Sequence, residues 1–117
     1  MKKVIIVMFL VLTVIVFGCS KSDPVKDEFA KCLSDKGVKF FGSYQCSHCT
    51  NQKALFGSSM KYVAYIECGP LGGPQNQVCV DAKIVSYPTW EFADGSRLVG
   101  ERSLKELGEK TGCALPQ

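Results

Sequence analysis

Two cysteines three positions apart, Cys46 and Cys49, constrain this 117-residue chain more than any other feature. They lie in Phe41–Lys53 (F-G-S-Y-Q-C-S-H-C-T-N-Q-K), with His48, the chain's one histidine, between them. A short apolar run, Val38–Gly42, leads into Cys46, and a helical pattern follows it to about Phe56, where Gly57 stops it. Both sulfurs then fall on the first turn of a helix. There they can close a small ring, and the free backbone N–H groups favour a thiolate. A thiolate so placed is the reacting species in disulfide exchange. Half of a zinc site and an inert bridge are the plainer alternatives. A zinc ribbon needs a second C-x-x-C knuckle, which the chain does not have. No metal and no cofactor beyond the redox-active disulfide is therefore expected.

The N-terminus carries signs of an export address. Residues 1–18 read as a targeting segment, with a basic start at Lys2 and Lys3 and the mostly aliphatic run Val4–Phe17. That run suits a secretory signal and falls short of the roughly 20 residues that span a bilayer. It ends in Val16-Phe17-Gly18-Cys19, which resembles a bacterial lipobox, although Phe17 is bulky for one. Cys19 is then the expected lipidation site, and an uncleaved signal anchor is the alternative. Residues 19–27 form a polar tether, and 28–115 the domain. The tether reaches roughly 25–30 Å when extended, so the domain works close to a membrane on its extracytoplasmic side. Loss of Lys2 and Lys3 lowers the net charge from +3 to +1. No basic stripe is left, and nucleic acid is not an expected partner.

Seven cysteines in so short a chain fit the same compartment. With Cys19 set aside, six remain. Cys68 ends the strand-like run Tyr62–Glu67, and Cys79 sits within a short helical stretch, Gln75–Lys83. A bridge between them would hold the Gly/Pro-rich loop Gly69–Pro74, as a structural staple worth about 2.5–3 kcal/mol or as a second redox pair. Cys32 lies on the apolar face of a first helix that Asp23 caps, Pro24 opens and Gly37 ends. It is either a buried small hydrophobe or the partner of Cys113. Val25, Phe29 and Leu33 share that face.

Strand-like alternation resumes at Ser86-Tyr87-Pro88-Thr89-Trp90-Glu91-Phe92, and Ala93–Ser96 turns it back into Arg97–Val99. Ser103 and Glu106 make a capping box for a last helix, which Gly112 stops. The order is helix, then β-α-β-α-β-β-α. A parallel pair followed by a hairpin gives an α/β fold, a four-stranded mixed sheet with helices on both faces plus the N-terminal helix.

That order, with Cys46-Ser47-His48-Cys49 after the first strand and Tyr87-Pro88-Thr89 before the third, resembles the thioredoxin fold. The resemblance implies that Pro88 is a cis-proline and that Tyr87 offers its backbone to an extended substrate. It also implies that Cys46 is the nucleophile, Cys49 the resolving thiol, and His48 a group that stabilises the Cys46 thiolate. Lowering a thiol pKa from ~8.5 to ~4 would raise the reduction potential by about 90 mV. From Phe29 to about Leu107 the chain is similar to the thioredoxin-like domain associated with bacterial vitamin K epoxide reductase homologues. It shares phrases such as F-G-S-Y-Q-C-S-H-C-T-N-Q-K-A-L-F-G and S-Y-P-T-W-E.

The implied activity is thiol–disulfide exchange that oxidises exported cysteine-containing proteins. A separate membrane protein of that quinone-linked type would re-oxidise the pair. A reductase for cytochrome or metal-centre assembly, and a metal-binding lipoprotein using Cys46, His48 and Cys49, are the competing expectations. Two positions depart from thioredoxins. Gln45 stands where tryptophan is common, and Phe40 where an acid is buried. Proton transfer at Cys49 is thus left to water or Glu91.

Overall fold

The computed structural model describes residues 21–117; residues 1–20, including the signal-like segment and Cys19, lie outside the described residues. Asp23 caps helix α1 (Pro24–Asp35) by accepting from the Lys26 N–H at 3.1 Å. Strand β1 (Lys39–Gly42) follows, then helix α2 (Ser47–Phe56), which ends at Gly57. A 3-10 turn over Gly57–Tyr62 leads to strand β2 (Tyr65–Glu67) and the short helix α3 (Gln77–Asp81). Strands β3 (Thr89–Glu91) and β4 (Arg97–Val99) form the hairpin, and helix α4 (Leu104–Thr111) closes the chain. The capping box is complete, because Ser103 and Glu106 each bond the other's backbone. At the far end Gly112 takes the left-handed conformation that favours glycine.

The sheet order is β2-β1-β3-β4, with β1 parallel to β2 and antiparallel to β3. Side chains alternate along a strand, so neighbouring phenylalanines of β1 serve opposite faces. Phe40 joins the larger core with Phe29, Leu33, Phe56, Trp90 and Leu107, which come from α1, α2, β3 and α4. Phe41 joins the smaller one with Cys68, Cys79 and Ile84, beside α3. This is the α/β arrangement of a thioredoxin-like fold, covered by helices on both faces.

Two expectations needed adjustment. The Tyr62–Glu67 run is strand only from Tyr65, because Tyr62 ends the 3-10 turn and its carbonyl accepts from the Ser34 hydroxyl of α1. Val25 is half exposed rather than core, since Phe29, Ala30 and Leu33 form the covered face of α1. Cys32 and Cys113 are joined, with Cα atoms 5.9 Å apart, so the C-terminal tail is fastened to α1. Cys68 and Cys79 are also joined, and both are fully buried.

Candidate functional site: a dithiol beside Pro88

Cys46 is the N-cap of α2, in extended backbone conformation, and its side chain makes no capping bond. Its sulfur is thereby free to turn toward the loop before β3. There Sγ lies 3.7 Å from the carbonyl oxygen of Tyr87, and the Tyr87–Pro88 peptide is cis. Tyr87 is held from behind, since the Gln75 amide donates to its hydroxyl at 2.6 Å and to the Ile84 carbonyl at 3.0 Å. The Gly100 N–H donates to the Pro88 carbonyl, tying the loop to the end of β4. Cys46, Cys49, Tyr87 and Pro88 are therefore brought together from three segments of the chain.

The two sulfurs differ in access. Both are free thiols; Cys46 keeps 6% of its surface in solvent and Cys49 none. Burial pushes the Cys49 thiol up from an ordinary 9.0 to about 12, opposed by the Ser43 backbone and the Lys53 charge. Gly42 makes the fit possible. A Cβ there would stand 2.8 Å from a ring carbon of Tyr65 and 3.1 Å from the Cys49 sulfur.

His48 is exposed, and its Nδ1 meets the Glu101 carboxylate at 2.7 Å. Asn51, one turn along α2, donates to the same oxygen at 3.1 Å. The His48 contact, then the Asn51 contact, holds the Glu101 carboxyl below the usual carboxylate range. The imidazole thus sits on Glu101, and no hydrogen bond joins it to Cys46 among the described residues.

Glu91, considered above as the proton acceptor for Cys49, is elsewhere. It pairs with Arg97 at 2.6 Å and with Lys39, at the end of β1 away from Cys46. Residues along a strand advance about 3.3 Å each, so Glu91, level with Lys39, lies roughly 10 Å along β1 from the Gly42 end that leads to Cys46.

Several site residues gave no signal in the sequence. Gln52 is fully buried on α2; it donates to the Arg102 carbonyl at 2.9 Å and accepts from the Arg102 N–H and from Trp90 Nε1. A buried amide with both ends satisfied fixes α2 against the sheet. Gln45 accepts from the Leu71 N–H at 3.0 Å, and the Ser43 hydroxyl donates to the Gly69 carbonyl at 2.6 Å. These bonds dock the Gly/Pro loop onto the turn before Cys46, while the Cys68–Cys79 bridge fastens its base. Glu101 and Gln52 find their partners about 50 positions away, so no local pattern marks them.

Among the described residues, no group of three or more His, Cys, Asp or Glu side chains is placed to hold a metal ion. No helix among them is long and apolar enough to cross a membrane.

A thioredoxin-like sheet with a dithiol at a helix start, beside a cis-proline, defines a thioredoxin-like domain carrying a C-x-x-C site. No family model matches the sequence. The chain is similar to the thiol-disulfide oxidoreductase LTO1 of Arabidopsis thaliana, with 41% identity over 103 residues, or 84% of this chain. It spans about a quarter (27%) of that relative's length.

Proposed function

We propose that this domain is an extracytoplasmic thiol–disulfide oxidoreductase that oxidises exported cysteine-containing proteins. The observation that carries this reading is the Cys46 sulfur at a helix start, 3.7 Å from the Tyr87 carbonyl, with Cys49 sealed behind it. An extended substrate lying along Tyr87–Pro88 would bring its own sulfur to Cys46. Its thiolate attacks Cys46 of the oxidised pair, the Cys46–Cys49 bond breaks, and Cys49 leaves and takes a proton. The substrate's second thiolate then attacks the mixed disulfide at the substrate sulfur. The substrate departs oxidised, and Cys46 and Cys49 remain as thiols.

Two internal bridges, Cys32–Cys113 and Cys68–Cys79, support an address outside the cytoplasm. The likeness to domains working with vitamin K epoxide reductase homologues supports a quinone-linked membrane protein as the acceptor of the electrons. A lipid on Cys19 would keep the domain within reach of it.

One observation favours the reductase instead. The His48 ring is turned onto the Glu101 carboxylate and not onto Cys46, which removes the hydrogen bond by which histidine would make the disulfide strongly oxidising. Equilibration of the purified domain with glutathione buffers, followed by thiol trapping, separates the two readings. A potential well above about −200 mV supports the oxidant, and one near about −270 mV supports the reductase. A Cys49→Ser variant that traps no mixed disulfide with any exported protein would remove both.

A further inference from the structure

Each turnover requires the buried Cys49 to gain or lose a proton, and β1 offers nothing for this, since Phe40 is apolar. The ionisable groups around Cys49 come from two elements. Its own helix supplies Cys46 and, one turn further on, Lys53. Strand β2 supplies Tyr65, whose hydroxyl donates to Glu67 at 3.0 Å. From β3 the same core receives Trp90, while Glu91 is engaged with Arg97; His48 and Glu101 pair with each other on the outer surface.

Lys53 and Cys49 are four residues apart and so share a helix face. The Lys53 ammonium rests 3.8 Å from the centre of the Tyr65 ring. That ring's edge and the Cys49 sulfur converge on the bare Cα of Gly42, where an added Cβ would touch both. Glu67 keeps the ring in place. One of its oxygens takes the Tyr65 hydroxyl, and the other accepts from the Gly69 N–H at 2.8 Å and the Tyr44 N–H at 3.2 Å.

We propose that Lys53, seated on the Tyr65 ring, is the positioning residue that allows Cys49 to exchange its proton. The assignment rests on the redox reading above. When Cys49 resolves a mixed disulfide, its thiol loses a proton and its sulfur attacks Cys46. The bond from Cys46 to the substrate sulfur breaks, and the departing thiolate takes up a proton from solvent. When Cys49 is itself the leaving group, its sulfur carries the electron pair until a proton arrives. In both directions the thiolate is transient, and among the described residues the Lys53 ammonium is a side-chain cation that favours it. Tyr65 holds that charge on a ring whose edge lies beside the same Gly42 position as the Cys49 sulfur.

The test is a single turnover of the reduced protein with glutathione disulfide. The first step forms the mixed disulfide at Cys46 and releases glutathione; the second closes Cys46–Cys49 and releases another. Both are followed by acid quenching from about pH 5 to 9. Lys53→Met is expected to slow the second step about three- to tenfold at pH 7 and to move its pH profile upward. Lys53→Arg should restore most of the rate. Tyr65→Phe keeps the ring and should act mildly, whereas Tyr65→Leu should resemble Lys53→Met. A second step in Lys53→Met with the parent's rate and pH profile would overturn the assignment, as would Lys53→Arg being as slow as Lys53→Met. If the parent protein formed no mixed disulfide at all, the redox reading itself would fail, a result distinct from either of these.

Discussion

Removal of the Cys32–Cys113 bridge should cost this domain more stability than removal of Cys68–Cys79, although the latter is the more deeply buried. The two bridges close sequence separations of 81 and 11 residues. In the chain-entropy treatment, the loop an unfolded chain is forbidden to open grows with that separation. The long bridge is then worth about 4.5 kcal/mol and the short one about 2.8 kcal/mol. Small domains have about 5–15 kcal/mol in all, so loss of the long bridge leaves little margin. The comparison uses Cys32→Ala/Cys113→Ala against Cys68→Ala/Cys79→Ala in urea. Trp90 is a convenient probe, being the single tryptophan and fully buried. With a slope of about 1.5 kcal/mol per molar urea, the midpoint should fall by about 3 M for the first variant and about 2 M for the second. Loss of three buried sulfurs' packing adds a smaller cost, weighted toward the short bridge, whose two cysteines are both fully covered. A short-bridge variant as unstable as the long-bridge one, with equal slopes, would refute the loop argument.

The site makes further predictions. In the reduced protein at pH 7, iodoacetamide should label Cys46 and spare Cys49, as peptide mass mapping would show; equal labelling would contradict the burial of Cys49. Because the folded-state value of Cys49 lies above its ordinary 9.0, its contribution is complete below that pH and is lost as pH rises toward about 12. The reduced form should therefore lose stability from pH 9 upward more steeply than the oxidised form, in which Cys49 does not titrate, as thermal melts of both forms would test. Gly42→Ala would push a methyl against Tyr65, Cys49 and the Phe40 ring, costing about 1–3 kcal/mol in urea unfolding and slowing ring closure. Glu101→Gln removes the carboxylate that holds His48 and should raise the reduction potential slightly in glutathione equilibration; a fall would show that Glu101 has another role.

Much of the architecture is legible because its boundaries are written in local chemistry. Asp23 with Pro24, Gly57, the Ser103/Glu106 box and Gly112 each act within a few residues, and each marks the end of a helix where expected. Cys46 and Cys49 are legible for the same reason, since their spacing is itself the signal. Tyr62 misleads because it is aromatic and next to a β-branched residue, while a contact with Ser34 in α1 keeps it in the 3-10 turn. Cys32 stays ambiguous because a core position and a bridge to Cys113 both require the same helix face. Gln52, Glu101 and the seat of Lys53 on Tyr65 are not legible at all. Each depends on where a distant segment passes, and glutamine, glutamate and lysine on a helix ordinarily face solvent.

The span of the Cys32–Cys113 bridge bears on how the molecule is made. Counted from the N-terminus, Cys32 is the first of the four bridged cysteines, and Cys46 and Cys49 arrive tens of residues before Cys113. During that interval the early sulfur has only wrong mates within reach, and hasty oxidation would link it to Cys46 or Cys49. A newborn copy therefore needs either a pause before oxidants arrive or a reshuffling step afterwards.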